Sequence, residues 1–198
     1  MTGVQRREQL LDVSRRLFAE KGFELTSVEE IAARAEVSKP VVYEHFGGKE
    51  GLYAVVVDRE VRSLLDRLTT ALTAGHPREL LEQAALALLE YIEQETDGFR
   101  VLVRESPMGS ATGNFSSVLN DVAHQVEYIL AREFKSRGYD GKLAELYSQA
   151  LVGMVALTGR WWLDVRKPRK ETVAAHLVNI AWNGLSHLDA KPKLVTRS

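Results

Sequence analysis

The chain has no cysteine, so disulfide bonds and thiolate metal sites are both excluded. Proline is scarce, with five residues in 198, and no apolar run is long enough to cross a membrane. The N-terminus lacks the apolar segment of a signal peptide, so we expect a cytoplasmic protein. The histidines stand singly without metal-site spacing, and no nucleotide-binding or nucleophile motif is present. We therefore predict no catalytic residue, no metal site, no cofactor and no enzymatic activity.

The charge balance provides no strongly basic segment. Lys and Arg number 26 against 27 Asp and Glu in the whole chain, and 8 against 9 in residues 1–50. A nucleic-acid interface in this region would then depend on the local placement of cations. Glu29, Glu30 and Glu36 are expected to face away from phosphate. The positive face would come from Arg6, Arg7, Lys39, His45 and Lys49.

Apolar residues recur at helical spacing along the whole chain, and no alternating strand pattern is found. The pattern predicts an all-α protein of nine helices. Helix four should begin near Lys49 and continue without a breaker to Gly75-His76-Pro77. Helix five should stop near Asp97-Gly98, and a short helix should follow over 99–105. Turn residues predict a loop over 106–113, helices eight and nine should cover about 142–166 and 170–188, and residues 191–198 should fray.

Residues 26–46 predict a helix, a three-residue turn and a second short helix. Thr26 and Ser27 are hydroxyl residues at a helix start, and Ser27 with Glu30 forms the pattern of a capping box. Ser38 can cap the second helix, and Pro40 lies in its first turn, where a missing N–H is tolerated. This is the layout of a helix-turn-helix, whose second helix enters the major groove of DNA.

The second helix has an inner and an outer face. Val42 and Phe46 lie four residues apart and should be buried together. Tyr43 and His45 are expected to reach backbone phosphates, and Lys39 and Val41 to reach base edges. Lys49 at the start of the next helix is a further phosphate candidate. The complete predicted DNA-binding set is Thr26, Ser27, Ser38, Lys39, Pro40, Val41, Tyr43, His45 and Lys49.

This region resembles the N-terminal domain of the TetR/AcrR family of transcriptional regulators. The resemblance is carried by Ile31-Ala32, Val37-Ser38, Tyr43-Glu44-His45-Phe46 and Lys49-Glu50-Gly51-Leu52, with Leu17 to Phe23 upstream. It implies a nine-helix architecture in which 1–48 is the DNA-binding domain, 49–190 is the ligand-binding and dimerisation domain, and helix four bridges both. The turn position that the family usually fills with Gly holds Glu36. A left-handed backbone there would cost Glu about 1–2 kcal/mol relative to Gly.

Beyond residue 60 the resemblance is one of length and helical pattern. An apolar effector pocket is expected from six aromatic residues and one methionine, namely Tyr91, Phe99, Met108, Phe115, Tyr128, Trp161 and Trp162. Plain core packing is the alternative for each of them. Helices eight and nine carry apolar residues over a wide arc, which predicts a homodimer seam. The proposed seam residues are Leu151, Val155, Trp162 and Val165 on one helix and Leu177, Ile180, Ala181 and Leu185 on the other.

Small residues on helix eight support two interpretations. Gly153, Ala156 and Gly159 allow another helix to approach closely, either across a dimer seam or within one chain. The functional expectation is a homodimeric repressor that binds a palindromic operator and is released by a small apolar or aromatic effector. The alternatives are a helical ligand-binding protein or enzyme, or an adaptor, with a vestigial DNA-binding head.

Overall fold

A computed structural model of the chain describes residues 2–73, 75–104, 115–189 and 192–193, with the side chains of 115–117 left out. These residues form nine α-helices and one short 3-10 helix, and no β-strand occurs among them. The predicted all-α fold is confirmed. The helices are α1 Gly3–Lys21, α2 Val28–Arg34, α3 Lys39–Phe46, α4 Lys49–Ala71, α5 Pro77–Gln94, α6 Thr96–Val103, α7 Phe115–Ser136, α8 Ala144–Val165 and α9 Lys170–Ser186, with the 3-10 helix Gly141–Leu143 before α8. None of the described helices is both long and apolar enough to cross a membrane.

Contacts divide the chain into two compact units. Unit 1 contains the residues up to Thr70 and those from Tyr91 to Val118. Unit 2 contains Ala71–Glu90 and the residues from Leu119 onwards. The division at residue 48 expected from the sequence stays a prediction about where the functions lie.

Unit 1 is built on α1. Its N-terminus is closed by a capping box, because the Thr2 hydroxyl accepts from the Gln5 N–H and the Gln5 side chain accepts from the Thr2 N–H. Leu10, Leu17 and Phe18 on this helix are wholly buried. The helix packs against α2 and α6, and α2 packs against α3. The orientation of α3 therefore depends on α1 through α2.

The boundary between α5 and α6 differs from the prediction. Helix α5 ends at Gln94, and Asp97-Gly98 lies inside the first turn of α6. Gly98 is helical and buried, and a Cβ there would lie 1.9 Å from a Glu60 carboxylate oxygen. The glycine is thus required by a close contact, whereas the sequence pattern suggested a helix stop. Helix α4 also ends earlier than expected, at Ala71, and α5 begins at Pro77.

The core of unit 2 lies where α7, the 3-10 helix, α8 and α9 meet. Leu130, Phe134, Ala144, Leu151 and Ala181 form its buried centre. The Phe134 ring packs edge-on against Tyr147, with 5.3 Å between the ring centroids. These contacts bury one side of both α8 and α9 within the chain.

Candidate nucleic-acid interface

The predicted helix-turn-helix consists of α2 and α3. Ser27 caps α2, since its hydroxyl accepts from the Glu30 N–H at 3.1 Å. The reciprocal half of the capping box is replaced, because the Glu30 carboxylate instead accepts from Lys21 at 2.5 Å. In the turn, Glu36 has φ of +53°. The position usually filled by Gly is therefore left-handed, and Glu36 occupies it at the expected energetic cost.

Helix α3 presents a polar outer face over a buried inner face. Val42 is completely buried, as predicted, and Phe46 is half-buried below the Arg7 guanidinium, 4.8 Å from the ring centroid. Ser38 is the N-cap residue by backbone geometry, but its side chain makes no capping hydrogen bond, contrary to expectation. The predicted outward residues fall into two groups. Ser38, Lys39, Pro40 and Tyr43 are exposed, and Val41 and His45 are partly exposed.

The Tyr43 ring packs beside Gly48, and the residue is largely exposed. Its carbonyl accepts from the Gly47 N–H at 2.8 Å, which ends α3 with Gly47 in a left-handed conformation. The ring lies beside Gly48, where a Cβ would be 3.4 Å from Tyr43 Cε1. The side chain nevertheless remains 54% exposed. A ring that is packed on one side places its hydroxyl with little conformational freedom, as a phosphate donor requires.

Lys39 is paired with an acid of the preceding helix. Its ammonium donates a short hydrogen bond to the Glu29 carboxylate, and this bond lowers the pKa of Glu29. Glu29 thus lies on the same surface as Lys39, which contradicts the expectation that it faces away. Elsewhere in residues 1–50, Glu8 pairs with Arg59 and Glu20 with Arg34. Each of these three acidic residues therefore acts on a particular nearby cation.

Lys49 packs inwards instead of projecting from the start of α4. Its ammonium lies 4.1 Å from the centroid of the Phe23 ring and donates to the Phe23 carbonyl at 3.1 Å. Within unit 1 the Lys49 ammonium therefore already makes one cation–π contact and one hydrogen bond. A phosphate contact by Lys49 would use its remaining donors, so its first role in this structure is to hold the start of α4 against Phe23.

Thr26 does not reach the surface. It is 1% exposed, and its hydroxyl donates to the Gly22 carbonyl at 2.7 Å. A side chain buried in this way cannot contact DNA, so Thr26 is removed from the candidate interface. Ser27 is exposed, although its hydroxyl already caps α2.

The arrangement has the chemistry of a DNA-binding surface. Donors from Ser38, Lys39, Tyr43 and His45 lie on or beside one exposed helix face, with the half-exposed Val41 between them for an apolar contact. No cluster of potential metal ligands occurs among the described residues. The fold and this surface define a helix-turn-helix DNA-binding protein.

Comparisons with known proteins identify the family. Residues 10–56 match the family model for bacterial regulatory proteins of the tetR family, and residues 77–184 match the tetracyclin repressor-like C-terminal domain. The chain belongs to the TetR family of transcriptional regulators, a family of DNA-binding proteins and not of enzymes. The resemblance inferred from residues 17–52 is thereby confirmed.

Two curated relatives extend the similarity over most of the chain. The HTH-type transcriptional activator FasR of Mycolicibacterium smegmatis is 30% identical over 191 residues, covering 93% of this chain and 84% of that protein. An HTH-type transcriptional repressor of Mycobacterium tuberculosis is 30% identical over 142 residues, covering 72% of this chain and 67% of that protein. Among solved structures, a TetR-like transcriptional regulator from a Rhodococcus species has 28% identity and a TM-score of 0.73, covering 91% and 96% of the two chains.

The residues predicted to line an effector pocket are divided between the two units. In unit 1, Tyr91 and Phe99 are wholly buried and pack edge-on, with centroids 6.4 Å apart. In unit 2, Trp162 is 2% exposed and donates its indole N–H to the Pro168 carbonyl at 2.8 Å. These three side chains are buried, and their part in an effector pocket stays a prediction. Tyr128 and Trp161 are 68% and 50% exposed. Met108 and the Phe115 side chain lie outside the described residues.

The predicted dimer seam is partly internal. Leu151, Trp162, Leu177 and Ala181 are buried within the chain, so they are not available for a partner. Val155 and Leu185 are half-buried. Ala156 and Gly159 are also buried, whereas a Cβ on Gly153 would meet nothing within 4 Å. Ala156 and Gly159 therefore fit close packing within the chain, and Gly153 fits the approach of a partner helix. Exposed apolar side chains remain along the outer arc, namely Leu146, Leu157, Trp161 and Val165 on α8 and Ile180 on α9.

Sequence reasoning missed a polar cluster inside unit 1. Glu60, Arg15, Tyr91 and Glu95 are joined by ion pairs and a hydrogen bond. Their spacing along the chain gives no signal, since Arg15 and Glu95 are 80 residues apart. The one available hint is Glu60 itself, a charged residue amid the apolar positions of α4.

Proposed function

We propose that the chain is a homodimeric transcriptional repressor that binds a palindromic operator through α3 of each subunit and acts in the cytoplasm. The observation that carries the DNA-binding part is the exposed outer face of α3 above the buried Val42. In this proposal DNA binding resides in residues 1–48, and effector binding and dimerisation reside in 49–190. The interface comprises Ser27, Ser38, Lys39, Pro40, Val41, Tyr43 and His45, with Lys49 in support.

Selection of bound duplexes from a random pool tests the operator directly. Two heads of one dimer should reach successive major grooves about 34–36 Å apart, so the selected sequence should be a palindrome. A selected single half-site would contradict the dimeric arrangement. Failure of the intact protein to select any duplex would contradict the DNA-binding function.

The dimer is supported by the apolar outer arc of α8 and α9. Leu157 on α8 is 69% exposed and Ile180 on α9 is 62% exposed, and a partner subunit would remove both side chains from water. Leu157→Glu should give a monomer in sedimentation and weaken binding to a palindromic duplex. Gln149→Glu, which adds the same charge to α8 about 80° round the helix from Leu157, is the matched control. A wild-type monomer at micromolar concentration would refute the seam.

The effector is proposed to be a small apolar or aromatic compound. The support is the exposed aromatic surface of Tyr128 and Trp161, which an apolar molecule would remove from water. Binding should quench the fluorescence of Trp161, and Trp161→Phe should remove that signal. Operator DNA must lower effector affinity by the same factor that effector lowers DNA affinity. Equal effector affinities with and without operator would show that the compound does not regulate.

The direction of regulation needs a separate experiment, because one relative is named an activator and another a repressor. A promoter carrying the selected duplex should be less active when the wild-type chain is expressed. Tyr43→Phe, which weakens DNA binding, should restore activity. Higher activity with the wild type would identify an activator.

A further inference from the structure

One buried carboxylate contacts three other helices of unit 1. Glu60 on α4 is 4% exposed. Its carboxylate lies 3.1 Å from Arg15 Nε on α1 and accepts from the Tyr91 hydroxyl on α5 at 2.8 Å. On α6, Gly98 lies so close that a Cβ would be 1.9 Å from Glu60 Oε2 and 3.0 Å from Arg15 Nη2. Four helices therefore meet at this carboxylate.

A second carboxylate extends the cluster. Glu95, between α5 and α6, accepts from Arg15 Nη2 at 2.5 Å and lies 3.3 Å from Arg67 Nη2. The Arg67 guanidinium also lies 5.5 Å from the centroid of the Tyr91 ring. Arg15 is thus held between two acids, and its pKa is raised because they outweigh the opposing effect of burial. These contacts join α1 to α4 and to the start of α6.

The cluster is retained at a cost in stability. Burial raises the pKa of Glu60 in spite of the attraction of Arg15 and the Tyr91 hydrogen bond. The ionised form is therefore less favourable here than in water. Buried ion pairs are often replaceable by apolar residues without loss of stability, and their best-attested use is to select one packing arrangement. The observed contacts fit that use.

We propose that Glu60 is a positioning residue for DNA binding, because its carboxylate fixes α1 against α4, α5 and α6 and so sets the orientation of the helix-turn-helix. The route is short: α1 packs on α2, and α2 packs on α3. The inference rests on the DNA-binding part of the proposed function and is independent of effector and direction of regulation. If α1 samples several placements, apparent DNA affinity falls by the fraction of molecules in the competent one.

The test compares Glu60→Gln with Asp58→Asn. Each substitution removes one negative charge from α4, but Asp58 is exposed, and among the described residues its ion pair is with Arg62 of its own helix, at 2.9 Å. Both variants are titrated with the duplex selected by the wild type. Asp58→Asn should bind as tightly as the wild type or slightly more tightly. Glu60→Gln should bind about tenfold more weakly, which corresponds to one competent molecule in ten, and its melting temperature should be no lower than that of the wild type.

A pH series separates positioning from general electrostatics. The groups facing Glu60 are Arg15 of α1, Tyr91 of α5 and Glu95 between α5 and α6, with Arg59 of its own helix also acting on it. Protonation of wild-type Glu60 removes the charge that attracts Arg15, so it should loosen α1 as Glu60→Gln does, although it favours the folded state over the unfolded one. The DNA affinity of the wild type relative to Glu60→Gln should therefore fall from about tenfold towards one as the pH is lowered. The DNA affinity of Asp58→Asn relative to the wild type should stay constant.

Gly98→Ala provides an independent perturbation. The added Cβ displaces the Glu60 carboxylate without changing any charge, and Gly141→Ala, where a Cβ would lie 3.9 Å from the Ala131 carbonyl oxygen in an ordinary contact, is the control. Gly98→Ala should weaken DNA binding at least as much as Glu60→Gln. If Glu60→Gln binds DNA as Asp58→Asn does at every pH, the inference is wrong while the DNA-binding function stands. If the wild type selects no duplex, the proposed function and this inference fall together.

Discussion

Substitution of Glu36 measures the backbone strain in the turn of the helix-turn-helix. Its φ of +53° places a residue with a Cβ in the left-handed region. That conformation costs an ordinary residue about 1–2 kcal/mol relative to Gly. A Gly would lose about 0.4–1 kcal/mol more conformational entropy on folding, which offsets part of the gain. Glu36→Gly should therefore stabilise unit 1 by about 0.5–1 kcal/mol, a rise in melting temperature of about 1–4 °C.

The control is Glu36→Ala, which removes the carboxylate and keeps the Cβ. Thermal unfolding followed by circular dichroism should show Glu36→Gly above wild type and Glu36→Ala close to it. Both variants lose one acid beside α3, so both should bind the selected duplex more tightly by a similar factor. A melting temperature that is equal in the two variants, or lower than wild type for Glu36→Gly, would refute the strain argument.

Four further outcomes are expected. Tyr43→Phe should weaken binding to all duplexes alike, by about tenfold or more for a loss of 1.5–3 kcal/mol, without changing the melting temperature, and unchanged affinity at fixed salt would refute the contact. Glu29→Gln should strengthen binding because it frees Lys39, whereas Lys39→Ala should relax preference at particular base pairs by about 1–3 kcal/mol; a sequence preference unaltered by Lys39→Ala would restrict Lys39 to phosphate. Because the pKa of Glu60 is raised in the folded state, ionisation of this carboxyl lowers the free energy of unfolding. The wild type should therefore become less stable as the pH rises from about 4.5, the usual pKa, through the folded pKa, and Glu60→Gln should lose this slope. An identical slope in both proteins would refute that assignment.

The parts of the fold that follow local rules were predictable. The apolar spacing indicated nine helices, Ser27 marked the start of α2, and the family resemblance singled out Glu36 as standing where Gly is usual, a position whose backbone is left-handed in the structure. The outer face of α3 was also predicted, because burial of Val42 leaves its neighbours outside. These features depend on residues within one or two helical turns of each other.

The errors come from contacts between distant residues. Gly98 was interpreted as a helix stop because its partner, Glu60, lies 38 positions away on another helix. The inward packing of Lys49 was not predicted, because nothing local reveals that Phe23 lies beneath its ammonium. The pocket role of Tyr91 and Trp162 stays a prediction, because aromatic composition does not distinguish a filled core from an open cavity. Such pairings are set by tertiary packing, which periodicity does not encode.

The topology of unit 1 has a consequence for biosynthesis. The packing of helix α1 depends on the residues at the two ends of α6. Arg15 of α1 donates to Glu95, which directly precedes α6, and Arg104, which directly follows α6, donates to the Glu20 carbonyl of α1 at 3.2 Å. A nascent chain that has emerged only as far as α4 therefore contains the entire helix-turn-helix without its supporting helix. At usual elongation rates the ribosome needs on the order of a few seconds more to synthesise residues 72–104. The DNA-contacting helices should remain only loosely ordered during that interval, and a recombinant fragment that stops before α6 should share this defect.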